Sequence, residues 1–291
     1  MKKIIKIGYL LSYDYEYIFN SLSLVYDYAD VIYICFDKDG KTWTGQKLEI
    51  PENIFSKIKS LDIQNKISFY SDSFYIPNTP PLDLETRQRN MLAEKMGKGG
   101  WHIQIDSDEY PLYFKELCSF LRKHKYLLRN PHKTPANFFV KFITLFRKTE
   151  NGFLAVTPYQ EPCFLITNLP DYFNARYPEN PVTYHIDSYI IHQSWARDED
   201  EIYTKIKNWG HTNDFDVDTF YSEWKDVSLD NYSKLENFHP LNPNDWQSLE
   251  FIKAKNINDL VATLRRKINP DTIKFPLTLK KRLKLMFKSY F

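Results

Sequence analysis

The chain is poor in the residues that mark several specialised protein classes. Its 291 residues include only three cysteines and eight glycines. Cys35, Cys118 and Cys163 lie far apart and form no CxxC pair, so the sequence predicts neither a disulfide framework nor a cysteine zinc site. An odd number of cysteines without such a framework is typical of a reducing compartment.

A strong excess of charge and a long apolar run are also missing. The 39 basic and 37 acidic residues leave a net charge of +2, which does not indicate a nucleic-acid partner. No apolar run approaches the ~20 residues that cross a bilayer. The start, Met1-Lys2-Lys3-Ile4-Ile5, resembles that of a signal peptide, but Lys6 interrupts its apolar run and no small-residue cleavage site follows. We therefore predict a cytoplasmic protein whose first segment is a buried strand.

Aromatic residues, in contrast, are abundant. The chain has 21 Tyr, 21 Phe and 6 Trp, which together make up 16% of it. Aromatic faces stack on sugars and bases, but Tyr and Phe also fill protein cores. A bias towards AT-rich codons would produce the same surplus, so the aromatic content alone is a weak indication of function.

Strand and helix patterns alternate through the first third of the chain. Short apolar or β-branched runs predict strands at Lys3–Leu11, Val31–Phe36, Ile67–Tyr70 and Trp101–Ile105. Helical spacing of apolar residues predicts helices at Glu16–Tyr28, Pro51–Leu61 and Asp83–Met96. This alternation is typical of an α/β fold with a parallel sheet and right-handed crossovers.

Carboxylates recur just past these predicted strands. Asp14, Asp37, Asp72 and Asp106 each follow one of the four strands in turn. Parallel sheets bind ligands at the carboxyl ends of their strands, where the strands finish at one edge. The sequence therefore predicts an acidic ligand site along one edge of the sheet.

The remainder of the chain is less regular. It contains predicted helices at Pro111–Leu127 and Asp198–Trp209, antiparallel strands at Phe138–Phe146 and Gly152–Val156, and a strand at Val182–His192. From about residue 226, Asn, Asp and Pro punctuate the sequence.

The segment around Asp106 is the most specific feature. A buried strand delivers Asp106 and Asp108 into a tight turn, and two such oxygen ligands suit Mg²⁺ or Mn²⁺ that holds a diphosphate. Arg87 and Arg89 lie on the preceding helix, where a guanidinium can bind two phosphate oxygens. A solvated helix face is the alternative interpretation of these arginines.

These residues resemble the nucleotide-sugar domain of GT-A glycosyltransferases, especially the bacterial enzymes similar to glycosyltransferase family 2. The resemblance lies in the helix with Arg87-Gln88-Arg89-Asn90, the strand that ends in Asp106-Ser107-Asp108-Glu109, and the acidic loop from Phe36. It covers roughly residues 3–110, and His192 with the acidic helix after it resembles a later element of these enzymes. The resemblance implies a GT-A fold with a mostly parallel central sheet flanked by helices.

The resemblance also implies a domain division. Residues 1–225 would form the GT-A domain, with a nucleotide-sugar half at about 1–110 and an acceptor half at 111–225. Residues 226–291 would form a helical C-terminal extension with a basic amphipathic tail.

Site roles follow from the same resemblance. Asp37 would contact the nucleotide base, with Asp72 as the weaker candidate, and Arg87 or Arg89 would contact the nucleotide or its diphosphate. Asp106 would lie near the ribose and a Mn²⁺ or Mg²⁺ ion. Asp108 would ligate that ion, and His192 would complete its shell or meet the diphosphate.

The catalytic base is where the chain departs from the family, because no clear acidic pair appears in the acceptor half. Glu161 is our first choice and Asp187 the second. The implied reaction is an inverting transfer from a nucleotide-sugar, a UDP-sugar first, to a glycan or lipid-linked acceptor. A metal-dependent phosphohydrolase or glycosidase, and a non-catalytic sugar- or nucleotide-binding module, are the alternatives.

The tail carries alternating basic and apolar residues. Lysines and Arg282 are interleaved with leucines and phenylalanines over residues 275–291. This pattern predicts a basic amphipathic helix on an anionic membrane at the inner face of the cell, and a helix packed on the domain is the alternative.

Overall fold

The fold is α/β, as predicted, with a mixed central sheet flanked by helices. A computed structural model describes residues 3–208, 210–212, 214–268 and 273–290. Trp209, at the end of a predicted helix, and Phe291, at the end of the predicted tail, lie outside the described residues.

Twelve strands occur in the described part of the chain. They are β1 (Ile5–Leu10), β2 (Val31–Asp37), β3 (Ile67–Asp72), β4 (Trp101–Asp106), β5 (Glu109–Pro111), β6 (Asn137–Thr149), β7 (Gly152–Thr157), β8 (Pro162–Thr167), β9 (Tyr172–Asn174), β10 (Tyr177–Pro178), β11 (Thr183–His192) and β12 (Ser248–Lys253). β9 and β10 form a separate pair, and the other ten strands form the central sheet.

Helices connect the strands. The α-helices in the described residues are α1 (Ile18–Val25), α2 (Glu52–Leu61), α3 (Pro81–Met96), α4 (Phe114–Lys123), α5 (Glu199–Asn208), α6 (Val217–Asp226), α7 (Ile257–Lys267) and α8 (Leu279–Lys288). Pro81 opens α3, where a missing N–H costs little. Gly97 ends it at φ 74°, a conformation that glycine adopts without strain.

The N-terminal half of the sheet is parallel, in the order β3-β2-β1-β4. Every residue of β1 is buried, as expected for a strand covered on both faces. Leu10 pairs with Asp106, and Asp37 pairs with Asp72, so these strands finish at one edge. The predicted alignment of their carboxyl ends is confirmed.

The two faces of this half carry different helices. α1, α2 and α4 pack in the main core, where Ile32 and Ile34 of β2 belong. α3 packs against the opposite face, where Cys35 and Leu10 meet Leu92. Ile34 and Cys35 face different helices because successive side chains of a strand point to opposite faces of the sheet. The three cysteines are free and buried.

The C-terminal half of the sheet is mixed. β8 lies antiparallel between β4 and β6, and β7 pairs antiparallel with β6, as the sequence predicted for β6 and β7. β11 runs parallel to β6 and antiparallel to β5. The predicted helix Pro111–Leu127 was partly wrong, because Pro111 ends β5 and α4 begins only at Phe114.

The extension after residue 226 is not only helical. It contributes α7, α8 and the strand β12, which pairs antiparallel with β7 and extends the central sheet. The sequence did not predict this strand, because its short run lies among turn-forming residues. No described helix is both long enough and apolar enough to span a membrane.

Candidate functional site

A cavity of about 270 Å³ opens at the carboxyl ends of β1, β2 and β4. Its wall combines the ends of these parallel strands with residues of β6, β8, β11 and α5. Six of the residues predicted from the sequence line it: Asp37, Arg89, Asp106, Asp108, Glu161 and His192. The structure therefore brings together residues that are up to about 155 positions apart in the chain.

Three predicted residues lie outside this lining as the structure describes it. Asp72 is half-exposed and pairs with Lys38 at 3.9 Å. Arg87 donates to the backbone carbonyls of two loop residues, at 2.9 and 3.1 Å. Asp187 is exposed on β11 and pairs with Lys141 at 3.2 Å. Their predicted roles stay predictions, and the structure places none of them on the cavity wall.

The turn between β4 and β5 brings Asp106 and Asp108 to the same cavity. Glu109, fully buried, accepts a hydrogen bond from the backbone N–H of Asp106 at 3.0 Å. Arg176 donates two hydrogen bonds to Glu109, at 2.6 and 2.7 Å. Ser107 donates to the carbonyl of Leu10 at 3.1 Å and ties the turn to β1. Asp106 ends β4 and Asp108 lies in the turn before β5, so the turn, and not the pleat of a strand, positions Asp108.

Arg89 compensates the charge of Asp106. Its Nη2 donates to both carboxylate oxygens of Asp106 at 3.0 Å, and its Nε donates to Glu85 at 2.9 Å. Burial favours the neutral acid, but Arg89 and Arg176 outweigh it and lower the pKa of Asp106. The Nη1 of Arg89 is buried without a hydrogen-bond partner among the described residues.

Cations also surround Asp108. Its Oδ2 accepts a short hydrogen bond from Arg197 and lies 3.5 Å from Nζ of Lys205 and 3.6 Å from Nε2 of His192. Burial favours the neutral acid, yet Lys205 and Arg197 hold the pKa of Asp108 far below its usual range. Burial also lowers the pKa of His192 to about 3, so its imidazole is neutral at physiological pH.

This donor set fits a divalent metal poorly. Arg89 occupies both oxygens of Asp106, and Arg197 and Lys205 share one oxygen of Asp108. A metal bonds carboxylate oxygen at about 2.1 Å and would be repelled by cations at these distances. The described residues contain no group of three or more His, Cys, Asp or Glu side chains arranged to hold a metal. The ion expected at Asp106, Asp108 and His192 stays a prediction.

Glu161 lies on the other side of the cavity, at the start of β8. Its Oε2 accepts from Thr144 at 2.8 Å and from the indole N–H of Trp246 at 3.3 Å. Its Oε1 has no hydrogen bond in the described part of the chain. Burial raises the pKa of Glu161, and the two donors oppose that shift. A half-buried carboxylate with one open oxygen is suited to accept a proton.

Asp37 organises the loop after β2. Its Oδ1 accepts from the backbone N–H groups of Asp39 and Lys41, at 2.9 and 3.1 Å, and its Oδ2 accepts from that of Phe74 at 2.8 Å. The loop places Trp43 on the cavity wall. The base-binding role of Asp37 stays a prediction, and these bonds already give it a structural role.

Sequence reasoning missed Lys205, Arg176 and Trp246, all of which line the cavity. Lys205 had a signal, because it lies on the same helical stripe as the buried Ile202 and Ile206. A lysine on the apolar face of a helix needs a partner. Arg176 and Trp246 lie in irregular segments, where periodicity gives no indication of what they face.

Comparisons with known proteins add no assignment. No family model matches the chain, and no curated protein matches it. The interpretation of the site therefore depends on its geometry and on the chemistry of its residues.

Proposed function

We propose that the protein is a GT-A glycosyltransferase that moves a sugar from a nucleotide-sugar, a UDP-sugar first, to a glycan or lipid-linked acceptor. The observation that carries the proposal is the cavity itself. It joins the Asp106–Asp108 turn at the end of a parallel strand to a half-buried carboxylate with one open oxygen, Glu161. The donor would bind at the carboxyl ends of β1, β2 and β4, and the acceptor would enter beside β8.

The reaction we propose is an inverting displacement. Oε1 of Glu161 takes the proton of the acceptor hydroxyl while the hydroxyl oxygen attacks the anomeric carbon. The bond from that carbon to the diphosphate oxygen breaks, and its electron pair leaves with the nucleoside diphosphate. Thr144 and Trp246 hold Oε2, so the carboxylate presents its other oxygen. The gain in rate comes from positioning and from charge stabilisation at the leaving group.

Aromatic side chains give the cavity surfaces for a base or a sugar. Trp43, Trp195 and Trp246 all line it. The indole of Trp43 is fixed by a hydrogen bond to Gln88 at 2.7 Å. Rigid aromatic faces stack on bases and sugars at little entropic cost. They support a nucleotide-sugar as the ligand of this cavity.

Calorimetric titration with UDP, GDP and CMP, each with Mn²⁺ and with EDTA, tests the proposal. We expect one of these nucleotides to bind, and the corresponding nucleotide-sugar to be consumed with sugar transfer to an added acceptor. Release of inorganic phosphate would instead indicate a phosphohydrolase. Absence of binding for all three, in a folded protein, would contradict the proposal.

Two variants distinguish the candidates for the base. Glu161→Gln keeps the shape of the side chain and removes the proton acceptor, so transfer should fall by about 10²–10⁴-fold. Asp187→Asn changes an exposed carboxylate outside the cavity lining and should leave transfer unchanged. The opposite pattern would assign the role to Asp187.

A further inference from the structure

Lys205 has hydrogen-bonding capacity that the protein does not use. Its side chain is 8% exposed and lines the cavity from α5. An ammonium carries three N–H donors. Within the described residues, its one hydrogen bond is to Asp108 at 3.5 Å, which is a long contact. At least two donors of a buried cation therefore point to no protein acceptor.

Lys205 is also the more distant of the two cations that share Asp108. Arg197 already forms the closer ion pair with Asp108. The side chain of Arg197 is fully buried and lies outside the cavity lining as the structure describes it. Arg197 also pairs with Asp14 at 3.4 Å, and of the two cations that share Asp108 only Lys205 lies on the cavity wall. A buried charge without full compensation is costly unless an anion binds next to it.

The position of Lys205 conflicts with a metal on Asp108. A metal about 2.1 Å from Oδ2 would lie at most about 5.6 Å from Nζ of Lys205, because that oxygen and Nζ are 3.5 Å apart. The ammonium of Lys205 already occupies the space beside this carboxylate oxygen, where a metal would have to bind. Its own charge can meet a diphosphate directly.

We propose that Lys205, and not a metal ion, neutralises the diphosphate of the nucleotide-sugar. This inference rests on the proposed function. When the bond between the anomeric carbon and the β-phosphate oxygen breaks, the electron pair stays on that oxygen, and the N–H donors of Lys205 stabilise the added charge. No proton transfer to this leaving oxygen is needed. The unpartnered Nη1 of Arg89 is a second donor in the same cavity wall.

Activity and UDP binding in EDTA, for the wild type and for Lys205→Met, test this proposal. We expect the wild type to retain both in EDTA. Removal of one such donor typically costs about 10²–10³-fold in kcat, and we expect this loss in Lys205→Met with partial recovery in Lys205→Arg. Lys207→Met, which changes an exposed lysine of the same helix, is the matched control.

A binding measurement keeps the test independent of turnover. In EDTA, the wild type should bind UDP more tightly than uridine, and Lys205→Met should lose that difference while its melting temperature shows that it is folded. Wild-type activity that requires Mn²⁺ would overturn the role of Lys205 and leave the proposed function standing. Failure of every nucleotide to bind, with or without metal, would overturn the proposed function itself.

A second, independent observation concerns α8. One side of this helix packs on the domain through Leu285 and the buried Ser289. Another side exposes Leu279, Leu283 and Phe287, which are 64%, 43% and 62% exposed. These three residues are four apart and therefore form one stripe along the helix.

A row of lysines lies beside this apolar stripe. Lys280, Lys284 and Lys288 are also four apart, and each follows a stripe residue by one position. Residues 279–290 contain no Asp or Glu. An apolar stripe next to a row of flexible cations matches the boundary between lipid tails and anionic headgroups. A protein partner would need complementary acidic pockets, whereas a bilayer supplies both properties at once.

We infer that α8 docks the protein on an anionic bilayer. Sedimentation with vesicles of phosphatidylcholine, alone or mixed with phosphatidylglycerol, tests this inference. We expect binding only to the mixed vesicles, reduced at least tenfold by Leu283→Gln with Phe287→Gln and weakened by salt. Ile63→Gln, at another exposed apolar residue, is the control.

Two results would overturn the inference. Equal vesicle binding by the wild type and the α8 variant would place the lipid contact elsewhere. A concentration-dependent dimer in light scattering that the same variant abolishes, without vesicle binding by the wild type, would assign the stripe to a second copy of the chain.

Discussion

The hydrogen bond from Trp246 favours the ionised form of Glu161, and Trp246→Phe tests that contact. The indole N–H donates to Oε2 of Glu161 at 3.3 Å. The ring packs between Phe146 and His239, with centroids 5.9 and 4.4 Å away. Phenylalanine retains most of this packing but has no N–H. The substitution therefore removes one hydrogen bond to the carboxylate and little else.

The expected effect follows from the strength and sign of that bond. A hydrogen bond to a charged group contributes about 1.5–3 kcal/mol, and 3.3 Å is long, so we take the lower end. A loss of about 1.5 kcal/mol from the ionised form changes the ratio of ionised to neutral Glu161 roughly tenfold at a given pH. Because the bond favours the carboxylate, its loss adds to the effect of burial and raises the pKa of Glu161 further. The acid limb of the kcat/KM profile should therefore move to higher pH.

The assay is the pH dependence of nucleoside diphosphate release. Thr144→Val removes the shorter, 2.8 Å bond to the same oxygen and should move the limb in the same direction. Trp224→Phe is the matched control, because its indole donates to a backbone carbonyl of β6 at 2.8 Å and not to Glu161. An unchanged acid limb in Trp246→Phe, or an equal shift in Trp224→Phe, would refute the reasoning.

Three further substitutions test the fold around the site. In Gly152→Ala, the added Cβ would lie 2.2 Å from a backbone oxygen of β12. We therefore expect a loss of about 1–3 kcal/mol in the free energy of unfolding, measured in urea, and earlier proteolysis of the extension. Asn151→Ala, at the neighbouring exposed residue, should leave both unchanged. Arg89→Met leaves two carboxylates without their cation and should cost about 3–5 kcal/mol, so wild-type stability would contradict the buried ion pairs. Asp30 accepts from the backbone N–H groups of Ile4 and Ile5 and from Arg122, and although burial opposes them, these partners lower its pKa. The stabilisation is present above the unfolded pKa of about 3.9 and is lost as the pH falls through the lower folded value. Asp30→Asn should therefore be less stable than the wild type at pH 7, and the difference should shrink in strong acid.

The parallel half of the fold was predictable because each element there is specified locally. Buried strands such as β1 read as apolar runs, and helices such as α3 have a proline at the start and a glycine at the end. Once these strands are adjacent, their carboxyl ends coincide. Asp106 and Asp108 followed from that argument without any knowledge of their neighbours.

The cationic half of the site was not predictable, since it depends on pairing between distant segments. Lys205 reaches Asp108 across 97 positions, and Trp246 reaches Glu161 across 85. β12 joins the sheet only because β7 offers an edge, and its sequence alone gives a weak strand pattern. Local periodicity constrains which face of an element is buried, and it does not say which residue that face meets.

The opposite pKa shifts of the carboxyl groups around the cavity separate their possible roles. Asp106 and Asp108 have lowered pKa values because cations hold them, so they are poor proton acceptors. Burial raises the pKa of Glu109 to about 7, but Arg176 donates to both of its oxygens. Burial also raises the pKa of Asp14, and Arg197 lies 3.4 Å from that carboxylate.

Glu161 differs from all four of these carboxyl groups. Its pKa is raised, one of its oxygens is open, and no cation pairs with it in the described part of the chain. This separation of the acids favours Glu161 as the proton acceptor of the proposed reaction. Trp246 of the extension bonds Oε2 of Glu161 and lines the same cavity, so we expect an acceptor held at Oε1 to lie near both β8 and the extension. Acceptor specificity should therefore change with substitutions in the extension, and donor specificity with substitutions in the loop after β2.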